Sequence, residues 1–400
     1  MKKSISILGL TAAAVLVAAA SASAQDIKIG IELGFTGPLE AMSPPMSASA
    51  QLAIAGVNAA GGIAGQQVTV VTGDDGCITP EAAVATADKL INTDKVAALV
   101  GAMCSGVTIA VADGVAVPAG TVMISPSATA PTVSTLKDND LVFRTTSSDA
   151  YNGSQLAKLL LAKGIKDIGI TYVNTDYGKG LADAIAAAFE AGGGKVAANL
   201  AHEDGKADYR AELGQLAAAG TQTLVDIAYA QGSGKTILQQ AIESGDFTTY
   251  VGGDGMVNDE LFSGLDAAAV EGMIALRPGS PTSAGIDAFN TLAAAGGVDV
   301  KSTYVPQSYD AAFLLALALE KTGGKKDGLS QAVRDVATAP GEVVLPGEWA
   351  KAVELIKAGT DINYEGASGP LEFDANGDVP GVAIEMTVKG GKFEEVGPIM

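Results

Sequence analysis

Residues 167–200 read DIGITYVNTDYGKGLADAIAAAFEAGGGKVAANL. Asp167–Tyr172 is an apolar-rich strand pattern, and Gly178–Ala191 is an Ala-rich helix that stops at Gly192-Gly193-Gly194. Lys195–Leu200 is a second strand. A strand, a helix and a strand of these lengths make one βαβ unit, and the same rhythm runs outward in both directions. Toward the C-terminus come a helix at Tyr209–Ala219, strands at Thr223–Ala228 and Thr248–Gly252, and a helix at Lys235–Ser244. Toward the N-terminus, strands are expected at Ile27–Leu33, Val68–Thr72, Val96–Gly101, Val122–Ile124 and Leu141–Thr145. Helices over 45–60, Pro80–Asn92 and about 105–114 separate them. Each half of the chain thus carries its own βα series, which makes two lobes with a cleft between them. Tyr309–Lys321 and Glu348–Gly359 add later helices. Leu371–Phe373 and Val382–Val388 frame Asn376-Gly377, a hairpin signal.

The chain has 400 residues, enough for two or three domains at ~150 residues each. It holds 25 basic and 45 acidic residues, for a net charge of −20. Phosphate-directed nucleic-acid binding needs clustered Lys and Arg, so that class is excluded, and an anionic membrane surface would repel the chain. His202 is the single histidine, so no His-rich zinc site can be built, and no metal or cofactor is expected. A Ser-His-Asp triad would have to run through His202, without a serine-elbow signature anywhere. His202 lies beside Glu203 and Asp204 at a strand end and reads as a solvated surface side chain. Gly232-Ser233-Gly234-Lys235-Thr236 echoes a phosphate loop, but the first required glycine falls at Tyr229, so it reads as a loop and helix start. Asp374, Asn376, Asp378 and Glu385 echo a calcium loop, but the turn glycine is replaced by Val379.

Residues 1–24 have a leader pattern: Lys2 and Lys3, an apolar stretch over 5–20, and Ala22-Ser23-Ala24 before Gln25. Cleavage after Ala24 and export to the periplasm are expected. In an oxidising compartment the pair Cys77 and Cys104 makes a disulfide the default, with two buried thiols as the alternative.

Open α/β sheets bind ligands at the carboxyl ends of their strands. Four loops there carry suitable groups. Met103-Cys104-Ser105-Gly106 offers a hydroxyl and free N–H groups at a helix start, which suit a carboxylate. Ser125-Pro126-Ser127-Ala128-Thr129 offers hydroxyls in a Pro-fixed turn. Tyr177 and Asp254 follow strands of the other half, with Asp254 inside Gly252-Gly253-Asp254-Gly255. An anion cradle facing an acid suits a zwitterion; the same residues could equally be ordinary caps.

The chain resembles the type I periplasmic binding proteins of the leucine/isoleucine/valine transport family. The likeness rests on Gly34-Phe35-Thr36-Gly37-Pro38, Asn58-Ala59-Ala60-Gly61-Gly62-Ile63, Asp74-Asp75-Gly76-Cys77, Met103-Cys104-Ser105 and Met123–Thr129. It continues in Asp176-Tyr177-Gly178-Lys179-Gly180 and Gly369–Asp374. The resemblance implies an α/β fold of two Rossmann-like lobes with parallel sheets, joined by a three-crossover hinge. Lobe one would take 25–145 plus 277–382, and lobe two 146–276 plus 383–400. It also implies a Cys77–Cys104 disulfide. Ser105 and Thr129 would meet a ligand carboxylate, while Thr129, the Ser127 carbonyl and Asp254 would meet its ammonium. Tyr177 would close over the ligand beside Met103. The family often has glutamate where Asp254 stands, and Met42 occupies a position where an aromatic is expected. Near Ala230, Tyr229 is the available aromatic. The implied protein is no enzyme but a monomeric receptor that passes an amino acid, branched-chain first, to an inner-membrane ABC permease. Relatives also take up amides, urea and aromatic acids; a sensory receptor on the same fold and a secreted hydrolase are the rivals.

Overall fold

A computed structural model describes residues 26–399. The leader expected over 1–24 lies outside the described residues.

Lobe one is built on β1 (Ile27–Leu33), α1 (Ser43–Ala59), β2 (Val68–Asp74), α2 (Pro80–Asp88), β3 (Ala98–Val100), α3 (Ser105–Val111), β4 (Met123–Ser125) and β5 (Val142–Arg144). Its five strands are all parallel, in the order β2-β1-β3-β4-β5. Proline opens α1 and α2, where a missing N–H costs nothing.

The chain then crosses to a second sheet. α4 (Asp149–Ala162) leads to β6 (Asp167–Val173), α5 (Asp176–Ala191), β7 (Lys195–His202), α6 (Arg210–Ala218), β8 (Thr223–Ile227), α7 (Lys235–Ser244), β9 (Thr249–Gly252) and β10 (Ile274–Pro278). The side chains of Ser148 and Thr175 cap α4 and α5, accepting from Ala150 N and Gly178 N. After β10 the chain returns to lobe one with α8 (Ala284–Gly296) and α9 (Val305–Lys321), which pack on α1. Every residue of α9 from Val305 to Glu320 is buried; its apolar side chains pack on all sides, and the buried Asp310 is held by Tyr364 Oη and the backbone N–H groups of Ala367 and Ser368. α10 (Leu329–Ala337), β11 (Glu342–Val344), α11 (Trp349–Ala358), β12 (Ile362–Gly366) and β13 (Gly369–Pro370) add a small three-stranded sheet. A third crossing delivers β14 (Ala383–Lys389) and β15 (Lys392–Pro398) to the second sheet. Its order is β15-β14-β10-β9-β8-β6-β7, parallel except for β14 and β15.

The architecture is the expected two-lobed α/β fold with parallel sheets. One expectation fails. Leu371–Phe373 forms no strand, and Asn376-Gly377 turns no hairpin. The hairpin is β14–β15, turning at Gly390-Gly391. At 374–378, Asp374 Oδ1 accepts from Asn376 N (2.8 Å) and Asp378 N (3.1 Å), so a local side-chain turn competes with strand pairing.

Candidate functional site

A narrow cleft lies between the lobes. Met103, Cys104, Ser105 and Ser127 line it from lobe one, and Tyr177, Tyr229 and Asp254 from lobe two. Each follows the carboxyl end of a strand: β3, β4, β6, β8 and β9 in turn. Thr129 is buried beside the cleft and is not one of its lining residues.

The lobe-one wall is anchored from behind. Cys77 and Cys104 are bonded. The buried Asp75 spans the same two loops, with Oδ1 accepting from Cys77 N at 2.8 Å and Oδ2 from Met103 N at 2.7 Å. Burial is the main cause that pushes its carboxyl up to about 6, against those two N–H donors. Ser105 Oγ accepts from Ala130 N (3.0 Å), and Ser127 Oγ donates to the Met103 carbonyl (2.8 Å). The Ser105 proton remains free to donate. The Thr129 hydroxyl is buried facing the Asp149 carboxyl, whose pKa it lowers, without a well-aligned hydrogen bond, while the Thr129 carbonyl accepts from Asp149 N (2.8 Å).

Arg144, fully buried at the end of β5, holds this loop. It donates to the carbonyls of Ala128 (3.1 Å) and Ala130 (3.0 Å) and grips Asp378 through Nε (2.6 Å) and Nη2 (2.8 Å). Asp378 is therefore spent on a half-buried ion pair with Arg144 rather than facing a calcium ion.

The lobe-two wall centres on Asp254, which is 4% exposed. Its Oδ1 accepts from Tyr177 Oη at 3.0 Å, and its Oδ2 accepts from Tyr304 Oη. Burial raises its pKa, and the two phenol donors oppose that shift. None of the ion pairs among the described residues involves Asp254. Asp149 is a second fully buried acid. Its pKa is raised first by burial and then by the charge of Asp254, and its Oδ2 has no partner. Two buried carboxyl groups with no cation on Asp254 make this side of the cleft a place for positive charge. Tyr177 and Tyr229 stack with ring centroids 5.4 Å apart. The glycines beside Asp254 make room for Tyr177: a Cβ on Gly253 would stand 2.7 Å from its hydroxyl, and one on Gly255 3.1 Å.

Of the residues expected from sequence, Met103, Ser105, Ser127, Tyr177 and Asp254 meet at one cleft. Sequence reasoning missed Tyr304 and Asp149. Tyr304 sits before α9 in the left-handed region (φ +67°), and its phenol reaches Asp254 across fifty positions of chain. No local pattern signals it; Asp149 reads only as a first-turn acid. His202 is a correction. It is buried, not solvated, with Nδ1 2.8 Å from Thr171 Oγ1 and Nε2 2.9 Å from Ser233 Oγ. Burial is the main cause that pushes it down to about 4. Strand β7 runs to His202, two residues further than expected, and this draws the ring under the loop before α7. That trio lies outside the cleft, so His202 is no base for a reaction there.

Comparison with known proteins agrees with this geometry. The profile of a periplasmic binding protein family matches residues 26–384. The leucine-, isoleucine-, valine-, threonine- and alanine-binding protein of Pseudomonas aeruginosa is 31% identical over 366 residues, covering 90% of this chain and 88% of that one. The branched-chain amino acid transporter substrate binding protein of Streptococcus pneumoniae, solved with isoleucine, superposes with a TM-score of 0.76 at 27% identity, covering 94% of this chain and 100% of that one. An ABC transporter solute binding protein of R. palustris, solved with benzoate, shares the fold at 19% identity, with a TM-score of 0.74 and coverage of 94% and 96%. By its fold, its cleft and its match over most of its length, this chain belongs to the periplasmic binding proteins.

Proposed function

We propose that the protein is an exported receptor that captures an amino acid, branched-chain first, in the interlobe cleft and delivers it to an inner-membrane ABC permease. The observation that carries this reading is the polarity of the cleft. A serine hydroxyl free to donate stands on one wall, and a buried acid without a cation stands on the other. An α-amino acid supplies the complement to both. Its carboxylate would take the Ser105 hydroxyl and backbone N–H groups at the start of α3. Its ammonium would meet Asp254, the Ser127 carbonyl and the Thr129 hydroxyl. Met103 and the Tyr177–Tyr229 stack would cover its side chain. The relatives that bind leucine, isoleucine and valine support this class, and the benzoate-bound relative marks the competing one.

Cleavage after Ala24 and release of a monomer into the periplasm belong to the same proposal. So does the division into lobe one, 25–145 plus 277–382, and lobe two, 146–276 plus 383–400. Calorimetric titration with isoleucine, leucine, valine, acetamide, urea and benzoate tests the reading. Saturable heat with an aliphatic amino acid and none with benzoate is expected. Binding of benzoate alone would overturn the amino-acid assignment.

A further inference from the structure

Two contacts join the lobes at the rim of the cleft without lining it. The first is Gly180, three residues beyond the cavity-lining Tyr177 and inside α5. A Cβ built on it would stand 2.7 Å from Cδ of Pro131, which opens the short turn Pro131–Thr135 two residues beyond Thr129. Pro131 Cδ is a ring atom fixed by the backbone, so no flexible side chain end is there to give way. The neighbouring approach is also close: a Cβ on Gly106 would lie 3.3 Å from Asp176 Oδ2. The second contact is Gln231, two residues beyond the cavity-lining Tyr229. Its N–H donates to the Pro38 carbonyl (3.3 Å), and its Oε1 accepts from Ala41 N (3.1 Å). The loop that carries it is held from below, where Ser233 N donates to Asp204 Oδ1 (2.6 Å) and Ser233 Oγ meets His202. Both Pro131 and the Pro38–Ala41 segment belong to lobe one, and both Gly180 and Gln231 to lobe two.

We infer that Gly180 and Gln231 are positioning residues that set how closely lobe two seats on lobe one, and thereby the affinity of the cleft for its solute, without touching that solute. The inference rests on the solute-receptor reading above. Apparent affinity falls in proportion to the fraction of molecules able to reach the binding-competent arrangement. A methyl group at 180 separates the lobes by steric contact. Truncation at 231 removes one of two rim hydrogen bonds and leaves its backbone partner.

The two variants have different signatures. Gly180→Ala replaces a glycine in a helix by the best helix former, so lobe two itself gains. Its unfolding midpoint without isoleucine therefore stays level or rises, while isoleucine affinity falls about tenfold or more. A merely structural role would move both in the same direction. Gln231→Ala lowers affinity by about three- to tenfold through faster dissociation.

The test combines isoleucine calorimetry on the parent and both variants with spin-label distances between Lys89→Cys and Arg210→Cys, exposed positions just after α2 and at the start of α6. Isoleucine should enrich the short-distance population in the parent, and less so in Gly180→Ala. Equal affinity and equal populations in Gly180→Ala and parent would overturn the inference. If isoleucine does not bind the parent, the amino-acid reading fails separately. The isoleucine-free distances then decide: Gly180→Ala must deplete the short population, and an unchanged distribution overturns the inference. A parent with no short population under either condition overturns it as well.

Discussion

At Asp254 a carboxylate is buried between two phenol donors and has no cation, and the proposed ligand ammonium would supply one. Asp254→Asn keeps the shape and removes that charge. Losing one partner of a buried charge pair costs about 2–5 kcal/mol, so isoleucine affinity should fall roughly thirtyfold to several thousandfold; calorimetry reads this directly. Unchanged affinity would mean that the ligand carries no ammonium against Asp254. Ser105, Tyr177 and Asp254 were legible in the sequence because each follows a strand end and has a chemistry of its own. Tyr304 was not, because its role comes from a contact between segments far apart in the chain. Glu32 was not read either. It is fully buried in β1 with neither carboxyl oxygen partnered, and burial, then the charge of Asp75, pushes it up to about 9. The unfolded chain releases this proton near pH 4.5 and the folded protein near 9. The folded state therefore binds the extra proton between those values, and stability on this account declines as pH rises through that window. In urea unfolding, Glu32→Gln should gain on the parent steadily from pH 5 to pH 8. A stability difference independent of pH would show that Glu32 titrates normally.

The βα rhythm made most elements legible: β1 and α7 fall where expected, and most other bounds shift by a few residues. Failures cluster where the chain leaves that rhythm. β10 ends just before the second crossing and α8, α10 and β12 follow it, in a stretch where short apolar runs carry no decisive period. The false hairpin at Asn376-Gly377 has the right turn dipeptide, and a tight turn does close there, but Arg144 draws Asp378 and the Gly377 carbonyl toward β5 and no strands flank it. The disulfide has the clearest consequence among the connecting loops. A separation of 27 residues corresponds to about 3.5 kcal/mol of loop-closure entropy. Reduction should lower the urea midpoint accordingly. It should also weaken isoleucine binding, because Cys104 lies between Met103 and Ser105 in the cleft wall. A midpoint indifferent to reductant would show that Asp75 alone holds the two loops.

For the whole molecule, the groups that line the cleft are divided between lobes: Ser105 and Ser127 on one, Tyr177, Tyr229 and Asp254 on the other. A solute that touches both walls biases a hinge toward the closed arrangement, which is the state a permease partner could distinguish. The three chain crossings supply the hinge, and the rim contacts of Gly180 and Gln231 set its closed limit. Small-angle scattering of the protein, titrated with isoleucine, tests this most directly. The radius of gyration should fall and saturate with the same midpoint as the calorimetric heat. Saturable heat with an unchanged radius of gyration would contradict a site shared between the lobes.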